Sequence, residues 1–164
     1  MIALHPEPLT PERFAPFGDV VQREGAEQFL INEGTTRRYH ALTGVDPGPD
    51  GRVIVSIFRG TRRPAPIAIR MLERHPLGDQ VFVPLNGGDW LVVVGDGEPP
   101  DAERCRCFRA TAEKGVRYAR GVWHHPLLTV EDSQDFLVLD RQGPGENLEE
   151  YAFAPATEAV IEGW

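Results

Sequence analysis

Lysine is nearly missing from this 164-residue chain: Lys114 is the only one, and every other basic side chain is an arginine. Amine-nucleophile or Schiff-base chemistry therefore has one candidate, in a Glu-Lys-Gly turn that gives it little support. Cysteine occurs twice, at Cys105 and Cys107. Two positions apart on a predicted strand suits neither a disulfide nor, by itself, a metal site, so reduced thiols are expected. No apolar run approaches the ~18 residues of a membrane span. Met1-Ile2-Ala3-Leu4-His5-Pro6 carries neither a basic segment nor an apolar one, so no signal peptide is read and a cytoplasmic protein is expected. Gly-x-Gly-x-x-Gly, a Walker loop and Gly-x-Ser-x-Gly are all absent, which argues against dinucleotide binding, phosphoryl transfer and serine hydrolysis. Positive charge is also short. The net charge is −8, which disfavours nucleic acid and anionic membranes as partners. A local arginine cluster can still oppose that sign for a small anionic substrate.

Glycine (17 residues) and proline (15) are plentiful and punctuate short apolar runs. Strand patterns arrive every ~8–12 residues and no 3.6-residue period is sustained, the pattern of an all-β sandwich or barrel. The expectation is one domain over 1–164, an all-β antiparallel barrel with one or two short helices. Thr10-Pro11-Glu12-Arg13-Phe14 predicts a helix, with Thr10 as N-cap and Pro11 in its first turn. Trp90-Leu91-Val92-Val93-Val94 is apolar on both faces, so a central strand is expected there. Arg104 to Arg109 alternates charged and apolar residues and predicts an exposed strand. Val45 to Arg52 reads as a mobile loop. Residues 142–164 form an acidic tail or arm, and Trp164 is expected to dock.

The chemistry concentrates in two stretches. Glu73-Arg74-His75-Pro76-Leu77-Gly78-Asp79-Gln80 sets an acid and an imidazole on one strand face, because side chains repeat every second residue. Pro76 to Asp79 is turn chemistry, after which Gln80 can return beside His75. The matching partner is Gly121-Val122-Trp123-His124-His125-Pro126. If the two strands are neighbours, Glu73, His75, Gln80 and His124 form a set suited to a divalent metal. Arg59, Arg63 and Arg141 follow or close apolar strands, where a guanidinium can hold a carboxylate through two parallel hydrogen bonds. Tyr39 and His40 are candidates for proton transfer.

With Phe82 and Pro84 added to the first stretch, these motifs resemble the ureidoglycolate lyase family. Phe17-Gly18-Asp19-Val20, Ile31-Asn32, Arg38-Tyr39-His40, Ser56-Ile57 with Arg59, and Asp140-Arg141 agree with that family, over roughly residues 4 to 142. The resemblance implies a cupin-type β-barrel (jelly roll), a homodimer that releases urea and glyoxylate from (S)-ureidoglycolate in allantoin catabolism, with nickel or another divalent ion. Against cupins at large, the usual His-x-His is here Glu73-x-His75, and the usual acid several residues later is Gln80. The implied chemistry is an elimination. Glu73 or His124 is the expected base. His75, His125 or Tyr39 would protonate the leaving nitrogen, and Arg59 or Arg141 would clamp the carboxylate. Gln80, His40 and Ser56 are further substrate-binding candidates. The alternatives are an amidohydrolase releasing ammonia and carbon dioxide, or a small-acid-binding cupin without catalysis.

Overall fold

The computed structural model describes residues 1–164 as strands joined by short loops. In chain order they are β1 (Ile2–Leu4), β2 (Glu7–Pro8), helix α1 (Pro11–Phe14), β3 (Gly18–Val21), β4 (Glu27–Ile31), β5 (Thr36–His40), β6 (Arg52–Thr61), β7 (Ile67–Ile69) and β8 (Met71–Arg74). There follow β9 (Gln80–Pro84), β10 (Trp90–Val94), β11 (Arg106–Ala110), β12 (Gly115–Tyr118), β13 (Leu128–Thr129), β14 (Ser133–Gln142), β15 (Glu149–Ala152) and β16 (Ala159–Ile161). The Thr10 hydroxyl accepts the Arg13 amide at 3.3 Å and caps α1.

A five-stranded antiparallel sheet, β3-β12-β9-β14-β6, faces a four-stranded sheet, β13-β10-β11-β2. Behind the second sheet lies a three-stranded one, β1-β16-β7. The arrangement is a jelly-roll sandwich and is not hydrogen-bonded into a closed barrel. β10 separates two apolar cores. Trp90, Val92 and Val94 pack with Phe82, Val116, Phe136 and Val138 on the side of the larger sheet. Leu91 and Val93 pack with Ile67, Ile69, Leu72 and Ile161 on the other. The unbroken apolar run at 90–94 thus reflects burial on both faces. Full burial of each such side chain contributes ~1.5–3 kcal/mol, so β10 is the densest source of stability. The Trp90 indole N–H also needs a partner and donates to the Lys114 carbonyl at 2.9 Å.

Gly18 opens β3 at φ +147°, where a Cβ would lie 1.8 Å from the Arg117 carbonyl oxygen of β12. Only glycine lets these two strands approach that closely.

Two expectations are corrected. β11 is not exposed: Cys107, Phe108 and Ala110 are buried, and Arg106 lays its guanidinium over Phe108 while pairing with Glu7. The loop at 45–52 is pinned. The Asp79 amide donates to the Asp46 carbonyl at 2.8 Å, and the Asp46 amide donates to the Asp79 carboxylate at 3.0 Å. Arg141 donates to the carbonyls of Pro47, Pro49 and Pro144. The acidic tail is built into the sheets, and Trp164 docks as expected. β15 pairs with β8, β16 fills the middle of the three-stranded sheet, and Trp164 packs against its core.

Cys105 and Cys107 are free and buried, and desolvation pushes both thiols up to about 12. In an unfolded chain they ionise near the ordinary value, so their contribution to stability is complete below about pH 9 and is lost as pH rises through about 12. We expect stability to fall there by about 1.4 kcal/mol per pH unit per thiol. Denaturant titrations at pH 9 to 11 on the wild type and Cys107→Ala measure this. A Cys107→Ala slope equal to that of the wild type would refute it.

Candidate active site

β8 and the segment around His124 are held together by backbone. The Glu73 amide donates to the His124 carbonyl, and the His124 amide donates to the Glu73 carbonyl, each at 2.8 Å. On its other side the segment is tied to β10. The His125 amide donates to the Val93 carbonyl and the Gly95 amide to the Trp123 carbonyl, both at 2.9 Å. Residues 123–125 therefore act as a rung between two strands. Period-two alternation sends Trp123 to the core behind β10 and His124 to the opposite face.

On that face three ligand-type side chains meet. One atom from each of Glu73, His75 and His124 lies within 4.8 Å of the other two. Glu73 Oε1 is 3.6 Å from His124 Nε2 and 4.0 Å from His75 Nε2. The imidazole orientations follow from their other nitrogens. His75 Nδ1 lies 2.8 Å from the Asn147 carbonyl oxygen, and His124 Nδ1 lies 2.9 Å from that of Val122. A carbonyl only accepts, so each Nδ1 carries a proton and each Nε2 is the atom turned towards Glu73. Both Nε2 atoms are buried without a hydrogen-bond partner. Two imidazoles, oriented by backbone and converging on one carboxylate, fit a divalent cation such as Ni²⁺, Zn²⁺ or Mn²⁺. The donor set does not select among these ions.

The electrostatics agree. Burial raises the Glu73 pKa, but His124, then His75 and His125, outweigh it and hold the carboxyl below the ordinary range. It is an anion at neutral pH. His125 is driven down to about 4, chiefly by burial and further by the Arg63 charge, against a raising contact with the Pro126 carbonyl. It is neutral at pH 7. The pocket beside the triad is tight, about 10 Å³, and is lined by Glu73, Phe82, Trp90, Tyr118, His124 and His125, among others. A larger groove of about 500 Å³ lies near Asp96 and Arg104, on the side of the rung where Trp123 is found. Its charged residues are already paired, Arg104 with Asp96 and Arg106 with Glu7, so it carries no comparable chemistry.

The structure thus gathers Glu73, His75, His124 and His125. Gln80 lies on the same inner sheet face, its amide nitrogen donating to Asp140 at 3.3 Å. Ser56 shares the inward register of β6 with Phe58, whose ring meets Phe82 at 5.7 Å. Four candidates are not brought to the pocket. Tyr39 and His40 sit on the β4–β5 hairpin, where Arg23 covers the Tyr39 ring and His40 packs on Phe29. Arg59 points outward from β6 and is engaged by both oxygens of Asp135. Arg141 points outward and spends its guanidinium on loop carbonyls. The physical reason is strand alternation: residues 59 and 141 have the parity of the outer face.

Sequence reasoning missed Tyr118 and Asn147. The Tyr118 ring stacks on His124 at 4.1 Å, nearly parallel, and burial, then the Glu73 charge, pushes its phenol far above the ordinary value. Its hydroxyl stays protonated. Asn147 fixes His75 through its carbonyl and the turn through its side chain, which accepts the Leu77 amide at 2.9 Å. Tyr118 could have been found by pairing 115–118 against 80–82. Asn147 has no local signal, because its role depends on where the tail folds back.

A family model described as ureidoglycolate lyase matches residues 1–160. A ureidoglycolate lyase of Brucella anthropi is 55% identical over 155 residues, 94% of this chain and 92% of that protein. Ureidoglycolate lyases of Pseudomonas syringae and Stutzerimonas stutzeri are each 50% identical over 158 residues, 95% of this chain and 93% of theirs.

The triad predicts one divalent-cation site. We expect calorimetric titration with Ni²⁺ or Zn²⁺ to give one bound ion per chain. His75→Ala should weaken it at least about tenfold while the chain stays folded by circular dichroism. Unchanged affinity in that variant would remove the site.

Proposed function

The chain belongs to the ureidoglycolate lyase family, and from that premise we propose how its residues cleave (S)-ureidoglycolate to glyoxylate and urea. The supporting observation is the Glu73–His75–His124 triad at the edge of a small, half-polar pocket. The substrate carbon carries a hydroxyl, a carboxylate and a ureido nitrogen. Elimination needs the hydroxyl proton removed, the C–N bond broken as the C=O bond forms, and a proton delivered to nitrogen. Glu73, anionic at neutral pH and only partly buried, accepts the hydroxyl proton. The proton it accepts is the one the departing nitrogen requires, so the balance closes without water or an outside acid. His125 is a poor proton donor at neutral pH, with its imidazole held neutral, and serves as a pocket wall. The Tyr118 hydroxyl, kept protonated by burial and by the Glu73 charge, adds no charge to the pocket wall.

Glu73, His75 and His124 would hold a divalent cation, which supplies acidification of the hydroxyl and polarisation of the carboxylate. Nickel is one candidate. Arg63 takes the place expected of Arg59 and Arg141. Its charge is felt at His125, and no carboxylate of the chain pairs with it. It supplies a positive charge near the pocket for the substrate carboxylate. No helix of the chain is long and apolar enough to cross a membrane, and we take cytoplasmic work on a small soluble acid as the setting.

The assembly we propose is a homodimer formed through the outer face of β6. That face is an unpaired sheet edge bearing Val53, Val55 and Ile57, the last two 63% and 64% exposed. Apolar side chains on a free edge invite pairing with a second copy.

Two measurements test these readings. Glu73→Gln should lower kcat for urea and glyoxylate release by about 10²- to 10⁴-fold. Ammonia and carbon dioxide as first products, or near wild-type turnover in that variant, would overturn the elimination. For the assembly, light scattering on Val55→Asp/Ile57→Asp should report half the wild-type mass. A monomeric wild type would sink the dimer.

A further inference from the structure

Asp140 and Gln80 are not part of the triad, yet both leave a buried oxygen without a partner. Gln80 is 5% exposed; its Nε2 donates to Asp140 Oδ2 at 3.3 Å, and its Oε1 is unpartnered. Asp140 Oδ1 is also buried and unpartnered. Neither oxygen belongs to a hydrogen-bonded sheet group, and an unsatisfied buried acceptor costs ~1–3 kcal/mol. A ligand with N–H donors would remove that cost.

Strand register places the pair. Tyr118 of β12 is opposite Gln80 of β9. Val81 is opposite Leu139 of β14, so Gln80 and Asp140 are the next partners in the same ladder. Tyr118, Gln80 and Asp140 therefore form one row across the inner face, with strand steps of ~4.8 Å. The row begins at the His124 ring, on which Tyr118 stacks. Arg141 does not neutralise Asp140, because alternation turns it to the outer face, where the loop carbonyls take it.

We propose that Gln80 and Asp140 form the subsite that receives the ureido arm of the substrate, accepting its N–H groups while the carbinol carbon lies at the triad. The inference rests on the reaction proposed above and adds what sets its specificity. Gln80 spends one N–H on Asp140, and the two unpartnered oxygens match a group that offers one N–H and a terminal NH₂. They disfavour a second carboxylate. An acetamido group in place of the ureido group leaves one acceptor without a partner.

The test uses unreactive ligands, so it does not depend on turnover. N-carbamoylglycine keeps the carboxylate and ureido arm and lacks the hydroxyl; N-acetylglycine replaces the terminal NH₂ by methyl. Calorimetry on the wild-type, metal-loaded protein should show N-carbamoylglycine binding about 10- to 100-fold more tightly than N-acetylglycine. In Asp140→Asn and in Gln80→Met that ratio should fall towards one, with N-acetylglycine affinity changing less than about threefold. Equal wild-type affinities overturn the proposal. So does an equal loss of both ligands in the variants, which marks a structural role, and so does preference for guanidinoacetate, which marks a cation site. Urea release from ureidoglycolate is followed in parallel. A wild type that discriminates the ligands but releases no urea sinks the reaction and leaves the subsite standing. Turnover without discrimination sinks the subsite alone.

Discussion

Two reciprocal backbone hydrogen bonds between Glu73 and His124 hold the whole site in register. They join segments about fifty positions apart and fix which side chains share a face. Slippage by one residue would send His124 into the core behind β10 and bring Trp123 to the pocket. Nothing in the polar side chains could prevent this alone, since their mutual contacts are 3.6 Å and longer. The register is enforced by the apolar side of the rung. Trp123 packs in one core, and β10, buried on both faces, leaves the rung a single seat beside it. Hydrocarbon packing thus sets the positions of the polar atoms to within the tolerance that ligation requires.

The polar atoms in turn are arranged at some cost. Glu73 is partly desolvated, and two imidazole nitrogens are buried without partners. Burial alone would raise the Glu73 pKa. The surrounding histidines reverse that, so the site keeps an anion in a half-apolar pocket. Backbone carbonyls from Val122 and Asn147 hold both rings, so ring orientation does not depend on titratable neighbours. A charged chain surface plays little part; the arginines are mostly spent on loops and on outer-face carboxylates.

Much of this was legible from the residues. The turn at Pro76–Asp79, the alternation Glu73-x-His75 and the doubly apolar run at 90–94 are local patterns, and local sterics decide them. α1 was readable for the same reason, from Thr10 and Pro11. Arg59 and Arg141 are chemically apt, but whether a side chain faces in or out depends on sheet parity, which the sequence does not carry alone; Tyr39 and His40 lie on the β4–β5 hairpin, away from the pocket. β11 looked exposed because Arg106 and Arg109 alternate with apolar residues. The aliphatic stem and flat guanidinium of Arg106 instead cover Phe108. Tail residues such as Asn147 matter only through a long-range return, which no short window contains.

The return of the tail has a temporal side. β15 lies against the strand bearing Glu73, Asn147 orients His75, and β16 is clamped between strands from the opening and middle of the chain. On a ribosome, synthesis runs from one end to the other. The triad can be only half assembled until residues near 160 have emerged, although its own members were translated long before. A nascent or prematurely terminated chain would carry all three side chains of the triad and still lack the carbonyl that orients His75. The last stretch of the chain thus finishes a site whose side chains all precede it.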